Sequence, residues 1–137
     1  MKFVKSLVAV GTRNLAIVAS TLAATGFGLW AYIINFSADD AIVSAIAQAV
    51  FSFLYTGYVS WLLFYLFEKQ AAKVRKIIVP AIIVTVQTVL ILSLLHTLIG
   101  TDKVFFTVLG PALVGFVYGI VMCYLREVET SNSSKLQ

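Results

Sequence analysis

The stretch AIVSAIAQAVFSFLYTGYVSWLLFYLF, residues 41–67, contains no charged residue in 27 positions. An α-helix rises 1.5 Å per residue, so about 20 apolar residues cross the roughly 30 Å hydrocarbon core of a bilayer. The stretch therefore predicts a transmembrane helix. Its serine, threonine and glutamine residues then need a separate explanation.

Three further uncharged stretches, residues 14–38, 77–101 and 104–125, are 25, 25 and 22 residues long. The whole chain is 61% hydrophobic and only 12% charged, with a mean hydropathy of +0.99, whereas soluble domains carry about 25% charged residues. We therefore predict an all-α membrane protein that forms one domain. Its predicted parts are spans over 14–36, 41–67, 77–100 and 104–125, and a flexible tail over 130–137.

Basic residues are concentrated in three of the five segments outside these spans. Nine of the ten lysines and arginines precede the first span, separate the second from the third, or follow the fourth, and only Lys103 lies elsewhere. The positive-inside rule then predicts that both termini are cytoplasmic, in a protein of the bacterial inner membrane. The net charge of +4 is interpreted as a topology and lipid signal, with the bilayer rather than nucleic acid as partner.

The second and fourth spans end in similar sequences. Residues 57–68 and 115–127 align with one gap as glycine, an aromatic residue, valine, and an apolar run that closes on tyrosine and glutamate. This similarity predicts a parallel repeat of two helical hairpins. Chance similarity between two apolar helices is the alternative.

Polar residues recur at every fourth position of the second span, and residues four apart lie on one helix face with a drift of about 40° per step. This polar row consists of Ser44, Gln48, Ser52, Thr56 and Ser60. An amide in hydrocarbon without partners costs several kcal/mol, so the row should face protein or water. Gln87 and His96 of the third span are candidate partners. The row is either a contact between helices or the lining of a groove for a polar ligand.

Small residues at four-residue spacing let helix backbones approach closely in a membrane. The first span has Ser20, Ala24 and Gly28, and the fourth has Gly115 and Gly119. We predict that these residues pack helices together. The neighbouring helix can belong to the same chain, to a second copy or to another membrane protein.

The predicted spans contain no aspartate or glutamate, and the chain has one cysteine and one histidine. A proton-coupled exporter needs a carboxylate inside the membrane. Hydrolytic or metal chemistry needs sets of nucleophiles, bases or ligands that this inventory does not supply. We therefore expect neither enzymatic activity nor a cofactor.

The segment Val10-Gly-Thr-Arg-Asn14, which leads into the first span, resembles the V-G-x-x-N start of the GtrA-like family of small four-span membrane proteins. The resemblance extends to size and topology and implies the binding or movement of a polyprenyl-phosphate-linked sugar. In that case the polar row would contact hydroxyl groups. The phosphate would lie near four basic residues: Arg13, Lys73, Arg75 and Lys76.

Taken together, the absence of reactive residues and the tracks of small residues favour an accessory or structural subunit that packs against or regulates a larger membrane complex. The polar row and the resemblance favour a translocase for a lipid-linked sugar or another small polar substrate. A membrane immunity protein is a third hypothesis, which rests on size alone.

Overall fold

A computed structural model describes the backbone of residues 2–134 and the side chains of residues 17–131. Within this part of the chain it contains four α-helices and no strand: α1 (Lys2–Ile34), α2 (Ala41–Glu68), α3 (Lys73–Leu98) and α4 (Val104–Ser134). Each helix includes a segment long and apolar enough to cross a membrane. The predicted all-α class with four spanning helices is confirmed, whereas the orientation of the termini, the hairpin repeat and the single domain stay predictions.

The helices extend beyond three of the predicted spans. α1 begins at Lys2 rather than at residue 14, and α3 begins at Lys73, four residues before the predicted start. Basic residues occupy both added segments. Lysine and arginine are good helix formers, so the charges that mark the edge of a membrane span do not mark the end of a helix.

α4 continues to Ser134, so the first five residues of the predicted flexible tail are helical. Serine, asparagine and threonine are weak helix formers. Here side-chain hydrogen bonds accompany the last turns. Thr130 Oγ1 donates to the carbonyl of Arg126 at 2.9 Å, and Ser131 Oγ lies 3.5 Å from Glu127 Oε1. Residues 135–137 lie outside the described part of the chain.

The chain divides into two compact units. The first comprises α1 and α2 as far as Tyr58, and in it α1 and α2 approach closely at Gly28. A Cβ atom at Gly28 would lie 3.0 Å from Ala49 Cβ and 3.2 Å from the carbonyl oxygen of Ala45. Ser20, two turns earlier on α1, is also buried, and Ala24 between them is half-buried.

The second unit comprises α2 from Val59 onward, α3 and α4. In this unit α4 lies close to α3 and α2 at Gly119, where an added Cβ would lie 3.1 Å from Ala81 Cβ of α3 and 3.4 Å from Leu63 Cδ2 of α2. An added Cβ at Gly115 would meet no atom within 4 Å. Gly119 therefore lies at a contact between α3 and α4. Gly115 meets no atom of the described chain, so its predicted packing, for which the neighbour could be a second copy or another membrane protein, stays a prediction.

The connection between α3 and α4 is a compact turn. Gly100 has φ of +77°, the only positive φ among the described residues, and glycine adopts this left-handed conformation without the clash that a Cβ would cause. The N–H of Thr101 donates to the carbonyl of His96 at 2.9 Å, and the N–H of Gly100 donates to that of Thr97 at 3.2 Å. These two bonds form a Schellman motif, which satisfies the last carbonyls of α3.

The outward faces of the helices carry large apolar side chains. Leu22, Leu54, Leu98 and Phe105 are each at least two-thirds exposed, and other leucine, isoleucine and valine residues accompany them on every helix. Apolar surface of this extent promotes aggregation in water. In hydrocarbon it is solvated by lipid, as expected for membrane-spanning helices.

Candidate functional site

The polar row of α2 is largely shielded from the surroundings of the protein. Ser44 and Gln48 are fully buried, and Ser52 is 5% exposed. Thr56 and Ser60 are half-buried. The hydroxyl and amide groups of the row therefore lie against protein rather than in the surrounding lipid.

Every member of the row has a hydrogen-bond partner, and most partners lie one turn away on the same helix. Gln48 Nε2 donates to Ser52 Oγ at 3.0 Å, and Thr56 Oγ1 donates to the Ser52 carbonyl at 2.6 Å. Ser44 Oγ lies 3.4 Å from Asp40 Oδ2. Threonine hydroxyls elsewhere in the spans, including those of α3, also donate to the carbonyl four residues earlier. The helices thus satisfy much of their own side-chain polarity.

Ser60 makes a contact between helices. The hydroxyl of Ser60 lies 2.9 Å from the hydroxyl of Tyr118 on α4, and either oxygen can donate. This bond lies in the same unit as the close approach at Gly119, the residue that follows Tyr118. The C-terminal end of the row therefore joins α2 to α4.

Gln87 lies close to the middle of α3, at the edge of a shallow, open groove whose lining residues all belong to α3. The lining residues recur at helical spacing along one face: Ile82, Ile83, Val86, Gln87, Leu90 and Ile91. Gln87 is half-buried and is engaged within the protein. The groove is apolar except for this amide.

His96 belongs to the turn between α3 and α4. Its side chain is fully buried, and its Nδ1 lies 2.9 Å from Thr101 Oγ1. The backbone bond from Thr101 to the His96 carbonyl joins the same two residues. His96 therefore reinforces a helix end, and it lies nine residues, or about 13 Å along α3, from Gln87.

A cluster of charged residues joins the other ends of these helices. Lys76 Nζ of α3 lies 3.8 Å from Glu127 Oε2 of α4, and Arg126 of α4 lies 3.9 Å from Glu68 Oε1 at the end of α2. We call Glu68, Lys76, Arg126 and Glu127 the charged cluster. Lys76 Nζ also lies 5.2 Å from the centre of the Phe67 ring, a distance at which a cation is attracted to the face of an aromatic ring.

Glu127 is the unusual member of the charged cluster. It is 9% exposed and lies two residues past Leu125, where the predicted fourth span ends, in a part of α4 that also contains Arg126 and Glu129. The predicted spans themselves contain no acidic residue, and α4 continues past the fourth of them to include Glu127. Within the described residues Glu127 Oε2 has no hydrogen-bond partner, so Lys76 provides its main electrostatic compensation.

Three of the four predicted phosphate contacts lie among the described side chains, and their surroundings differ. Lys73 and Arg75 are exposed, whereas Lys76 turns towards Glu127 and Phe67. A phosphate at Lys76 would therefore compete with the carboxylate of Glu127, and the phosphate contacts stay a prediction. The side chain of Arg13, like those of the Val10–Asn14 motif, lies outside the described residues.

Sequence reasoning missed several buried polar groups. Asn35 is fully buried at the end of α1, where Nδ2 donates to the Ala31 carbonyl at 2.9 Å. Tyr118 was not recognised as a partner of Ser60. The only signal for Asn35 was an amide at the end of an apolar run, and no local signal linked Glu127 to Lys76, which lies about fifty positions earlier.

The described side chains contain no group of three histidine, cysteine, aspartate or glutamate residues that could hold a metal ion. The site consists instead of a hydrogen-bonded row, an apolar groove with one amide, and a charged cluster. Comparisons of the chain with known protein families, with characterised proteins and with solved structures find no match.

Proposed function

We propose that this small membrane protein is a non-enzymatic accessory subunit that binds a larger membrane protein through the groove on α3. The groove carries this proposal. It presents a continuous apolar face of α3, with Gln87 near the middle of the helix. Transmembrane helices associate through close packing and through hydrogen bonds from such amides.

The occupant that fits the groove best is a transmembrane helix. The apolar side chains of this face, Ile83, Val86 and Leu90 among them, are exposed and can pack against a second helix. Gln87, which is engaged within the protein, lies on the same face and marks the depth at which a polar residue of the partner would fit best. An interhelical hydrogen bond contributes only about 0.6 kcal/mol and mainly sets the register of packing.

The alternative role, binding a lipid-linked sugar along the polar row, has weaker support. The row was expected to contact sugar hydroxyls, but each of its members already has a partner in the protein. A ligand would have to displace those bonds and replace each of them. The immunity-protein hypothesis gains no specific support from the geometry.

Site-specific crosslinking tests the proposal. Replacing Val86, in the groove, with photoreactive benzoylphenylalanine should yield one crosslinked protein, which native mass spectrometry of the gently solubilised complex should also find in fixed stoichiometry. Val117 of α4 is the matched control, since it is 60% exposed against 53% for Val86 but lies on another helix. The substitution Val86→Trp should release the partner, whereas Val117→Trp should not.

Two results would contradict the proposal. One is a purified protein without any stoichiometric protein partner. The other is equal crosslinking from residues 86 and 117, which would indicate random collisions in the bilayer rather than a defined contact on α3.

A further inference from the structure

The basic residues at the start of α3 fall into two groups with different surroundings. Lys76 faces inward and compensates Glu127. Lys73 and Arg75 are exposed, and among the described residues neither has an acidic group within ion-pair distance. The acidic residues nearby in the chain are engaged elsewhere, since Glu68 pairs with Arg126. The surface at this end of α3 therefore carries uncompensated positive charge.

Helix geometry places these two cations on either side of an apolar strip. Successive residues of an α-helix are turned by about 100°, so Val74 projects between Lys73 and Arg75, and Ile78 follows one turn later on the same side. Val74 is 67% exposed and Ile78 is 41% exposed. Since α3 is apolar enough to span a membrane from Lys73 onward, this strip meets lipid where the hydrocarbon core ends.

The backbone adds to the positive potential at the same point. The N-cap residue, Ala72, has an extended conformation and makes no side-chain capping bond. The first N–H groups of a helix have no acceptor within the helix and carry a partial positive charge. At this helix end no side chain neutralises that charge, and Lys73 and Arg75 increase it.

From this arrangement we propose that the start of α3 is a binding site for an anionic phospholipid. The acyl chains lie along Val74 and Ile78, and the phosphate lies between Lys73 and Arg75. Charge complementarity selects an anionic headgroup, and the adjoining apolar strip selects a lipid rather than a soluble phosphate. This site lies on a different face of α3 from the groove and does not depend on the proposed function.

The test compares lipid binding by the full-length protein in nanodiscs of phosphatidylcholine with or without phosphatidylglycerol. Native mass spectrometry of lipids retained after release, or spin-labelled lipid exchange, gives the relative affinity. Each basic residue near an anionic surface contributes a factor of about five. We therefore expect Lys73→Gln with Arg75→Gln to lower the preference for phosphatidylglycerol by roughly 30-fold if both contact the phosphate.

Two control variants separate site binding from general charge. Lys103→Gln, in the opposite connection, should leave the preference unchanged, and the charge-preserving pair Lys73→Arg with Arg75→Lys should retain most of it. Circular dichroism should show native helix content in all variants, since the altered side chains are exposed.

Several results would overturn the proposal. They are equal binding of the two lipids by the wild-type protein, an equal loss in Lys103→Gln, or an unchanged preference in the Lys73→Gln, Arg75→Gln variant. Displacement of the lipid by millimolar inorganic phosphate would also overturn it, since it would show that the acyl chains contribute nothing.

Discussion

The polar row of α2 and the charged cluster both place polar groups inside a membrane protein, but they satisfy them in different ways. In the row, Gln48, Ser52 and Thr56 bond to one another along a single helix. In the cluster, Lys76 and Glu127 come from two helices and lie about fifty positions apart in the sequence. Contacts along one helix can form as soon as the helix forms, whereas the ion pairs of the cluster exist only when α2, α3 and α4 are packed. The cluster therefore depends wholly on tertiary structure, whereas the row combines bonds within α2 with the Ser60–Tyr118 contact to α4 and the burial of Gln48.

The largest expected effect comes from breaking the cluster. Replacing Glu127 with glutamine leaves Lys76, whose side chain is 25% exposed, without a carboxylate partner. Loss of one member of a buried pair is strongly destabilising, and partial exposure reduces the effect, so we expect a loss of about 2 kcal/mol. Unfolding by sodium dodecyl sulfate in mixed micelles, followed by circular dichroism, measures it.

Two variants complete this experiment. Glu129→Gln is the matched control, because its side chain is 72% exposed where it meets Arg126, and it should cost less than about 0.5 kcal/mol. The apolar pair Lys76→Met with Glu127→Leu should recover most of the stability, as replaced ion pairs often do. Equal losses in Glu127→Gln and Glu129→Gln would contradict a structural role for the buried pair.

A second prediction compares two glycines one turn apart on α4. Gly119→Ala places a methyl group 3.2 Å from Ala81 Cα, a backbone atom that cannot move alone, so we expect a loss of roughly 1–2 kcal/mol. Gly115→Ala meets open space and should be neutral or stabilising by up to about 1 kcal/mol, because alanine is the better helix former. The same unfolding measurement applies, and equal effects at the two positions would refute the close α3–α4 approach.

The smallest effect is expected in the row. Gln48→Leu keeps a side chain of similar size and removes the hydrogen bond to Ser52 together with the other interactions of the buried amide. Because side-chain hydrogen bonds in membrane proteins contribute on average about 0.6 kcal/mol each, the loss should be about 1 kcal/mol. Crosslinking from residue 86 should be unaffected. A loss above about 2 kcal/mol, or loss of the partner, would show that Gln48 supports long-range structure and that the row resembles the cluster after all.

This contrast also explains which features the sequence could predict. Four spans follow from charge-free length, and the polar row follows from its four-residue spacing, because both are local regularities. Gly100 carries a local signal as well, since glycine after an apolar run predicts a Schellman turn. Spacing could not distinguish Gly119, which meets α3, from Gly115, which meets no atom of the described chain, because it identifies a flat helix face but not the point at which another helix touches it.

No local regularity of the sequence predicts the charged cluster. Lys76 and Glu127 each look like flanking charges when the sequence is read span by span. Only the length of α4 beyond Leu125 brings Glu127 against α3. The predicted span ends at Leu125 because Arg126 is charged, whereas the helix continues through the charged residues to Ser134.

The Schellman turn at Gly100 also bears on how independently this end of α3 can form. Its backbone bonds and the His96–Thr101 contact involve residues at most five positions apart. The turn therefore needs no residue of α1 or α2, and the carbonyls of His96 and Thr97 are satisfied by the turn itself rather than by a neighbouring helix.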